Sequence, residues 1–253
     1  MDFLKLPSRE LKPRTNGLTM AIDTGYGIKH LEQLLEVSSD YIDYVKLGWG
    51  TSLATQRLNE KLEVYKKWGI PVCLGGTLLE VAYVQNKIQD YCSFLIDNEI
   101  NYVEISDGTV PMERAAKLGL IEKLAKDFCV LSEYGSKDDE TVSAPHLWST
   151  HMKEEIDAGA WKLIAEGRES GNAGMYRANM ELRTGLIEEI LFNVSHENII
   201  WETPKKDHQT WFVKRMGSDV NLGNIALNEV IALETIRLGL RSDTLMHFHG
   251  KYI

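Results

Sequence analysis

The chain has 253 residues, 43% apolar and 26% charged, with a net charge of −9. That is enough apolar chain for one large core, close to the roughly 250 residues of a (β/α)8 barrel. The acidic balance, with no Lys/Arg stripe, argues against nonspecific nucleic-acid binding, and no uncharged apolar run approaches the ~18 residues of a membrane span.

The N-terminal MDFLKLPSRELKPRTNG is polar and lacks the apolar core of a signal peptide, so a cytoplasmic location is expected. An arm is expected over residues 1–16, a barrel over 17–244 and a tail over 245–253. Strand signals fall near 18–23, 41–47, 71–75, 101–106, 128–133, 161–166, 198–202 and 219–223. Helical patterns lie between and after them, at 30–37, 58–69, 79–97, 112–126, 147–158, 182–192, 208–216 and 226–238, with Gly69 closing the second. Eight β-then-α units with no Pro/Gly/Ser-rich linker predict an α/β fold, a single-domain (β/α)8 TIM barrel. An open doubly wound sheet is disfavoured because no GxGxxG turn follows the first strand. Cys73, Cys92 and Cys129 show no CxxC pairing, and Cys73 and Cys129, inside strands, read as buried inert thiols.

Five of the apolar stretches end in a carboxylate, at Asp23, Glu104, Glu133, Glu166 and Glu202, and a sixth ends in Lys46. In a parallel barrel the C-terminal strand ends gather at one mouth, which is where ligands bind. Strand alternation puts Lys46, Tyr102, Glu104, Ser106, Lys162, Ile164, Glu166 and Arg168 inside the barrel, with Glu202 on the face of Ile200. The same rule is read as placing Met20 and Ile22 outside and Asp23 inside.

Several carboxylates in a confined mouth raise one another's pKa unless cations compensate. A divalent metal such as Mg²⁺ would do so, with Asp23, Glu104, Glu133, Glu166 and Glu202 as its candidate ligands. Lys46, Lys137 and Arg168 are a second compensation; the competing, non-functional reading is a structural Lys–Glu network lining the barrel. Lys137, on the glycine-containing loop EYGSKDDE, can close over the mouth and serve as general acid, whereas Lys46 is held on a strand. Arg168, Ser170 and Gly171 in EGRESGNAG suit a phosphate or sulfonate. Asn221, Gly223 and Asn224 in NLGNIALNEV lie before a helix N-terminus, the usual phosphate position of such barrels. GWGTSLAT and GGTLLE offer further donors, and Trp49 reads either as a pocket wall or as packing, with packing favoured. His30, His146, His151, His196 and His208 lack ligand spacing, while His247 and His249 form an HFH pair near the C-terminus.

The segments IDYVKLGWGTSL, GGTLLE, YVEISDGTVPM, VLSEYGSKD, AEGRESG, VNLGNI and ALETIRLGLRSDT resemble the phosphosulfolactate synthase family, especially its bacterial branch, in the same order from Gly17 to Thr244. The resemblance implies a (β/α)8 barrel that adds sulfite to phosphoenolpyruvate with Mg²⁺, giving (2R)-phospho-3-sulfolactate. In archaea that reaction opens coenzyme M synthesis, and some bacteria make sulfolactate. It also implies small anionic substrates and a homo-oligomer. Two rival readings fit the same residues. One is another enolate-forming lyase, such as a Schiff-base aldolase using Lys46 or Lys162. The other is a noncatalytic stress protein like the family's plant members, against which the retained charged motifs argue.

Overall fold

The computed structural model describes residues 3–135, 144–167, 174–177 and 179–250. Its strands are β1 Thr19–Asp23, β2 Tyr44–Leu47, β3 Val72–Leu74, β4 Tyr102–Ile105, β5 Cys129–Tyr134, β6 Lys162–Ala165, β7 Ile199–Glu202 and β8 Leu222–Ala226. They are parallel and pair in sequence order, and β8 returns to β1 to close the barrel. The helices are α1 Ile28–Ser38, α2 Thr51–Ala54, α3 Leu58–Lys67, α4 Gly76–Val84, α5 Ile88–Asp97, α6 Arg114–Leu124, α7 Pro145–Asp157, α8 Thr184–Asn193, α9 Lys206–Met216, α10 Val230–Arg237 and α11 Ser242–His249. No helix among the described residues is long and apolar enough to cross a membrane.

The strands are short and rich in Val, Ile and Leu because a parallel barrel buries both of their faces. Val45, Val103, Val130, Leu163 and Trp201 face the helices in the outer core. Leu18, Met20, Tyr44, Cys73, Leu131, Ile164 and Ile200 fill the barrel itself. This inner layer plugs the lower interior and leaves the next layer up, at the C-terminal strand ends, for charged groups. Ile164 is fully buried, so Ile164→Ala would cost roughly 2–5 kcal/mol.

Two local expectations change, and two terminal segments gain detail. The helix expected over 79–97 is two helices, broken where Asn86 takes a left-handed φ of 56°. The eighth strand starts at Leu222 and runs to Ala226, later than expected. The segment expected as a tail from 245 begins inside α11. The expected arm is tied down under the barrel: Arg9 pairs with Asp219 at 2.7 Å and Glu234 at 3.0 Å, and Arg14 with Asp43 at 2.8 Å.

Strand alternation holds in β2, β4, β6 and β7 but is shifted by one residue in β1. Leu18 and Met20 point into the barrel, and Asp23 points to the helices. The face of Leu18, Met20 and Ile22 is the more apolar one and is expected to point outward, but the lower barrel interior is itself apolar and takes it.

Candidate active site

The C-terminal mouth of the barrel holds a cavity of about 580 Å³. Lys46, Glu104, Glu133, Glu166 and Glu202 line it, and each is at most 5% exposed. Glu104 and Glu133 stand on β4 and β5 one inward position above Tyr102 and Leu131, so the polar layer rests directly on the apolar plug.

Lys46 sits among the acids. Its Nζ lies 2.8 Å from Glu202 Oε1, 3.1 Å from Glu104 Oε2 and 3.9 Å from Glu133 Oε2. Burial opposes the charge on Lys46, but the fields of Glu104, Glu202 and Glu133 outweigh it and hold the ammonium well above the ordinary lysine value. Glu104 responds in the opposite sense. Burial raises it, Lys46 pulls it back, and Glu133 and Glu202 raise it again, leaving its pKa at about 7.

Hydrogen bonds orient three of the acids. Glu104 Oε1 accepts the Gly76 N–H at 2.7 Å, from the first turn of α4. Glu133 Oε1 accepts the Ser106 hydroxyl at 2.7 Å. Glu202 Oε2 accepts the Gly167 N–H at 3.1 Å. Behind β5, the fully buried Lys117 donates to the Glu133 carbonyl at 2.7 Å and to Asp107 at 2.8 Å, and pairs with Glu155 at 3.1 Å. That network pins the strand end that carries Glu133. The loop after β4 is tied by Glu80, whose Oε1 accepts the Thr109 N–H at 2.8 Å.

Glu133, Glu166 and Glu202 each present a carboxylate oxygen, all within 4.8 Å of one another. Three buried oxygen donors with water space beside them fit a hard divalent cation such as Mg²⁺. The charge inventory agrees: four carboxyl groups and one lysine share a buried mouth.

Other expected site residues fall elsewhere. Glu104 lies outside the converging three; its Oε1 is turned to the Gly76 N–H and its Oε2 to Lys46. Asp23 is no free ligand: Oδ1 accepts the Gly25 and Tyr26 N–H groups at 2.7 and 2.9 Å, and Oδ2 accepts Lys61 and Tyr65 hydrogens at 2.8 Å each. It fastens β1 to α3. Asn221 lies at the opposite end of the barrel, where it accepts the Leu18 N–H at 3.0 Å and donates to the Glu197 and Ile199 carbonyls at 2.9 and 3.2 Å. Gly223 is a packing position, since a Cβ there would meet Met20 Cε at 2.4 Å. Asn224 does line the cavity, with φ 55° and a buried Oδ1 that has no hydrogen-bond partner. Lys137, Arg168, Ser170 and Gly171 lie outside the described residues. His249 is hydrogen-bonded to the Leu238 carbonyl at 3.1 Å.

Three site features escaped sequence reading. Lys205, at the start of α9, lines the cavity from an exposed position; its only signal was the TPKK that follows Glu202. Gly75 must be glycine, because a Cβ there would lie 2.5 Å from the Trp49 backbone nitrogen. Lys61 and Lys117 had a usable signal: each sits on its helix's apolar stripe, three and four residues before buried Val64 and Tyr65, or Leu120 and Ile121.

The (2R)-phospho-3-sulfolactate synthase (ComA) family model matches residues 7–243. The phosphosulfolactate synthase of Bacillus subtilis is 41% identical over 247 residues, covering 96% of this chain and 98% of that one. The phosphosulfolactate synthase of Methanothermobacter thermautotrophicus is 40% identical over 250 residues, covering 96% of each. Among solved structures, 3-hexulose-6-phosphate synthase from Salmonella typhimurium superposes with a TM-score of 0.58 at 11% identity, covering 87% of this chain and 97% of that one. Similarity at that level shows the barrel fold alone. The matches over nearly the whole length establish that this chain belongs to the (2R)-phospho-3-sulfolactate synthase family, a family of enzymes.

Proposed function

We propose that the chain catalyses addition of sulfite to phosphoenolpyruvate, giving (2R)-phospho-3-sulfolactate. The observation that carries this reading is the convergence of Glu133, Glu166 and Glu202 beside a protonated Lys46 in the barrel mouth, in a chain whose relatives are named for that product. Both substrates are anions, so a mouth of carboxylates needs positive charge before either can enter.

Glu133, Glu166 and Glu202 would hold Mg²⁺. When bound, the ion supplies Lewis-acid stabilisation of negative charge on the substrate carboxylate oxygens. Lys46, fixed on β2 and protonated throughout the neutral range, offsets the charge of a phosphate or carboxylate at one place. Asn224 and Lys205 stand in the lining as further groups for an anion. Sulfite sulfur attacks the methylene carbon, a C–S bond forms, and the π electrons move toward the carboxylate. Charge developing there is met by preorganised groups rather than by reorienting water. A proton delivered to C2 completes the product, and Lys137 is the proposed donor, with Arg168 on an anionic group.

A Schiff-base mechanism is disfavoured by the same geometry. An amine must be neutral to attack a carbonyl, and the carboxylates around Lys46 hold it charged. Lys162, the other candidate, donates to the Glu197 carbonyl at 2.6 Å at the far end of the barrel. Incubation with phosphoenolpyruvate, sulfite and Mg²⁺, followed by mass detection, tests the proposal. Phosphosulfolactate is the expected product; borohydride trapping of a keto acid on Lys46 instead would move the assignment to an aldolase.

A further inference from the structure

Two aromatic side chains line the described part of the cavity, Tyr26 and Trp49. Tyr26 is partly buried, and its hydroxyl bonds to Asn228 at 3.3 Å. Trp49 is different: its side chain is 47% exposed, and its backbone takes a left-handed φ of 52°. Large side chains rarely adopt that conformation, and such positions cluster at functional sites. Gly48 and Gly50 flank it, so the turn had a glycine available for the left-handed position on either side.

The fold nevertheless holds Trp49 there from three sides. The Gly48 N–H donates to the Asp23 carbonyl at 3.0 Å, and the Thr51 N–H donates to the Gly48 carbonyl at 3.0 Å. At the adjoining end of β3, Gly75 packs so closely that a Cβ on it would lie 2.5 Å from the Trp49 nitrogen and 2.9 Å from its oxygen. The main chain is therefore fixed by the ends of β1, β2 and β3, while the indole is left half in solvent. Core packing does not account for that arrangement, because a packing tryptophan is covered, as Trp148 and Trp201 are at 3% and 0% exposure. A ligand that fills the cavity would cover it.

We infer that Trp49 is the wall that closes on the bound substrate and selects a planar, unsaturated phosphorylated carboxylic acid. The inference rests on the proposed function. The flat indole face lies on the planar carbon skeleton of phosphoenolpyruvate and excludes water from the carbon that sulfite attacks, while the charged groups below hold the anionic ends. A saturated ester with the same two anionic groups on a tetrahedral carbon loses that contact. A ring-face contact of this kind is worth roughly three- to tenfold in affinity.

The test pairs calorimetry with acrylamide quenching of tryptophan fluorescence, in Mg²⁺ buffer, using phosphoenolpyruvate and 2-phosphoglycerate as probes. The chain has six tryptophans, and Trp49→Phe provides the signal of the other five. In the unmodified protein, phosphoenolpyruvate should shield a quenchable tryptophan that is missing from Trp49→Phe. It should also bind roughly three- to tenfold tighter than 2-phosphoglycerate, a preference that Trp49→Ala abolishes and Trp49→Phe largely keeps. Binding heat with unchanged quenching, or a preference that survives in Trp49→Ala, overturns the role of Trp49 and leaves the proposed function standing. No binding heat with phosphoenolpyruvate overturns the proposed function, and with it the substrate named here. The shielding measurement uses the unmodified chain, so it stands even if Trp49→Ala does not fold.

Discussion

Replacing Glu104 with glutamine should make the metal-free protein more stable at pH 8 and nearly neutral in effect at pH 5. Glu104 is 2% exposed and its pKa stands at about 7, against 4.5 for an ordinary glutamate. A carboxyl whose folded pKa is raised resists ionisation in the fold. Below pH 4.5 it is protonated in both states and costs nothing; as pH rises through 7 the folded state loses stability relative to the unfolded one. The full shift corresponds to roughly 3 kcal/mol, at about 1.4 kcal/mol per unit. Between pH 5 and pH 8 the wild type should therefore lose about 2–3 kcal/mol that Glu104→Gln keeps. For a chain of this size that is roughly 5–10 °C in Tm. Glutamine can still accept the Gly76 N–H that Glu104 now accepts at 2.7 Å, and Lys46 keeps Glu202 at 2.8 Å. The assay is thermal unfolding of both proteins in excess chelator, from pH 5 to pH 8. A Tm difference that is flat with pH, or one that turns against the variant at pH 8, would refute the account of a strained, buried Glu104.

Lys46→Met should destabilise the chelated protein by about 3–5 kcal/mol at pH 8, because it leaves buried carboxylates without their cation, and Mg²⁺ should restore much of that loss in a melting experiment. Glu166→Gln should weaken Mg²⁺ binding by at least about tenfold in calorimetry while the circular dichroism of the barrel is unchanged; equal affinity would remove Glu166 from the metal site. Asp23→Asn should lower stability by about 3–5 kcal/mol, since Lys61 is left buried and uncompensated. Its Mg²⁺ affinity should stay at the wild-type value, and a large loss would return Asp23 to the ligand set.

The barrel was legible because eight buried parallel strands leave eight apolar runs with helical periodicity between them. Most of the charged mouth was legible for a related reason: Lys46, Glu104, Glu133, Glu166 and Glu202 each end an apolar run, and all five line one cavity. Alternation failed in β1 because the face with Leu18 and Met20, the more apolar one, was sent to the helices, whereas the plug inside the barrel is apolar as well. What settles Asp23 is a distant partner, Lys61, which lies 38 positions further along the chain. Asn221 was misplaced because the VNLGNIAL run carries no charge to mark the strand's start, and the observed strand begins one residue after it. The division of labour among the acids was not legible at all. Which carboxylate takes a backbone N–H, which faces Lys46 and which ones converge depends on sub-ångström placement of neighbouring strand ends. For Trp49, packing was favoured over a pocket wall because the sequence carries no sign of its left-handed backbone or its exposure.

The central claim is that Glu133, Glu166 and Glu202 hold a divalent cation without which sulfite cannot add to phosphoenolpyruvate. The most direct measurement is mass-detected phosphosulfolactate from the chelator-stripped protein, incubated with both substrates, before and after Mg²⁺ is returned. No product before and steady formation after, with Glu202→Gln losing on the order of a hundredfold or more in rate at equal Mg²⁺, is the predicted result. Full product formation in excess chelator, or an unimpaired Glu202→Gln, would contradict it.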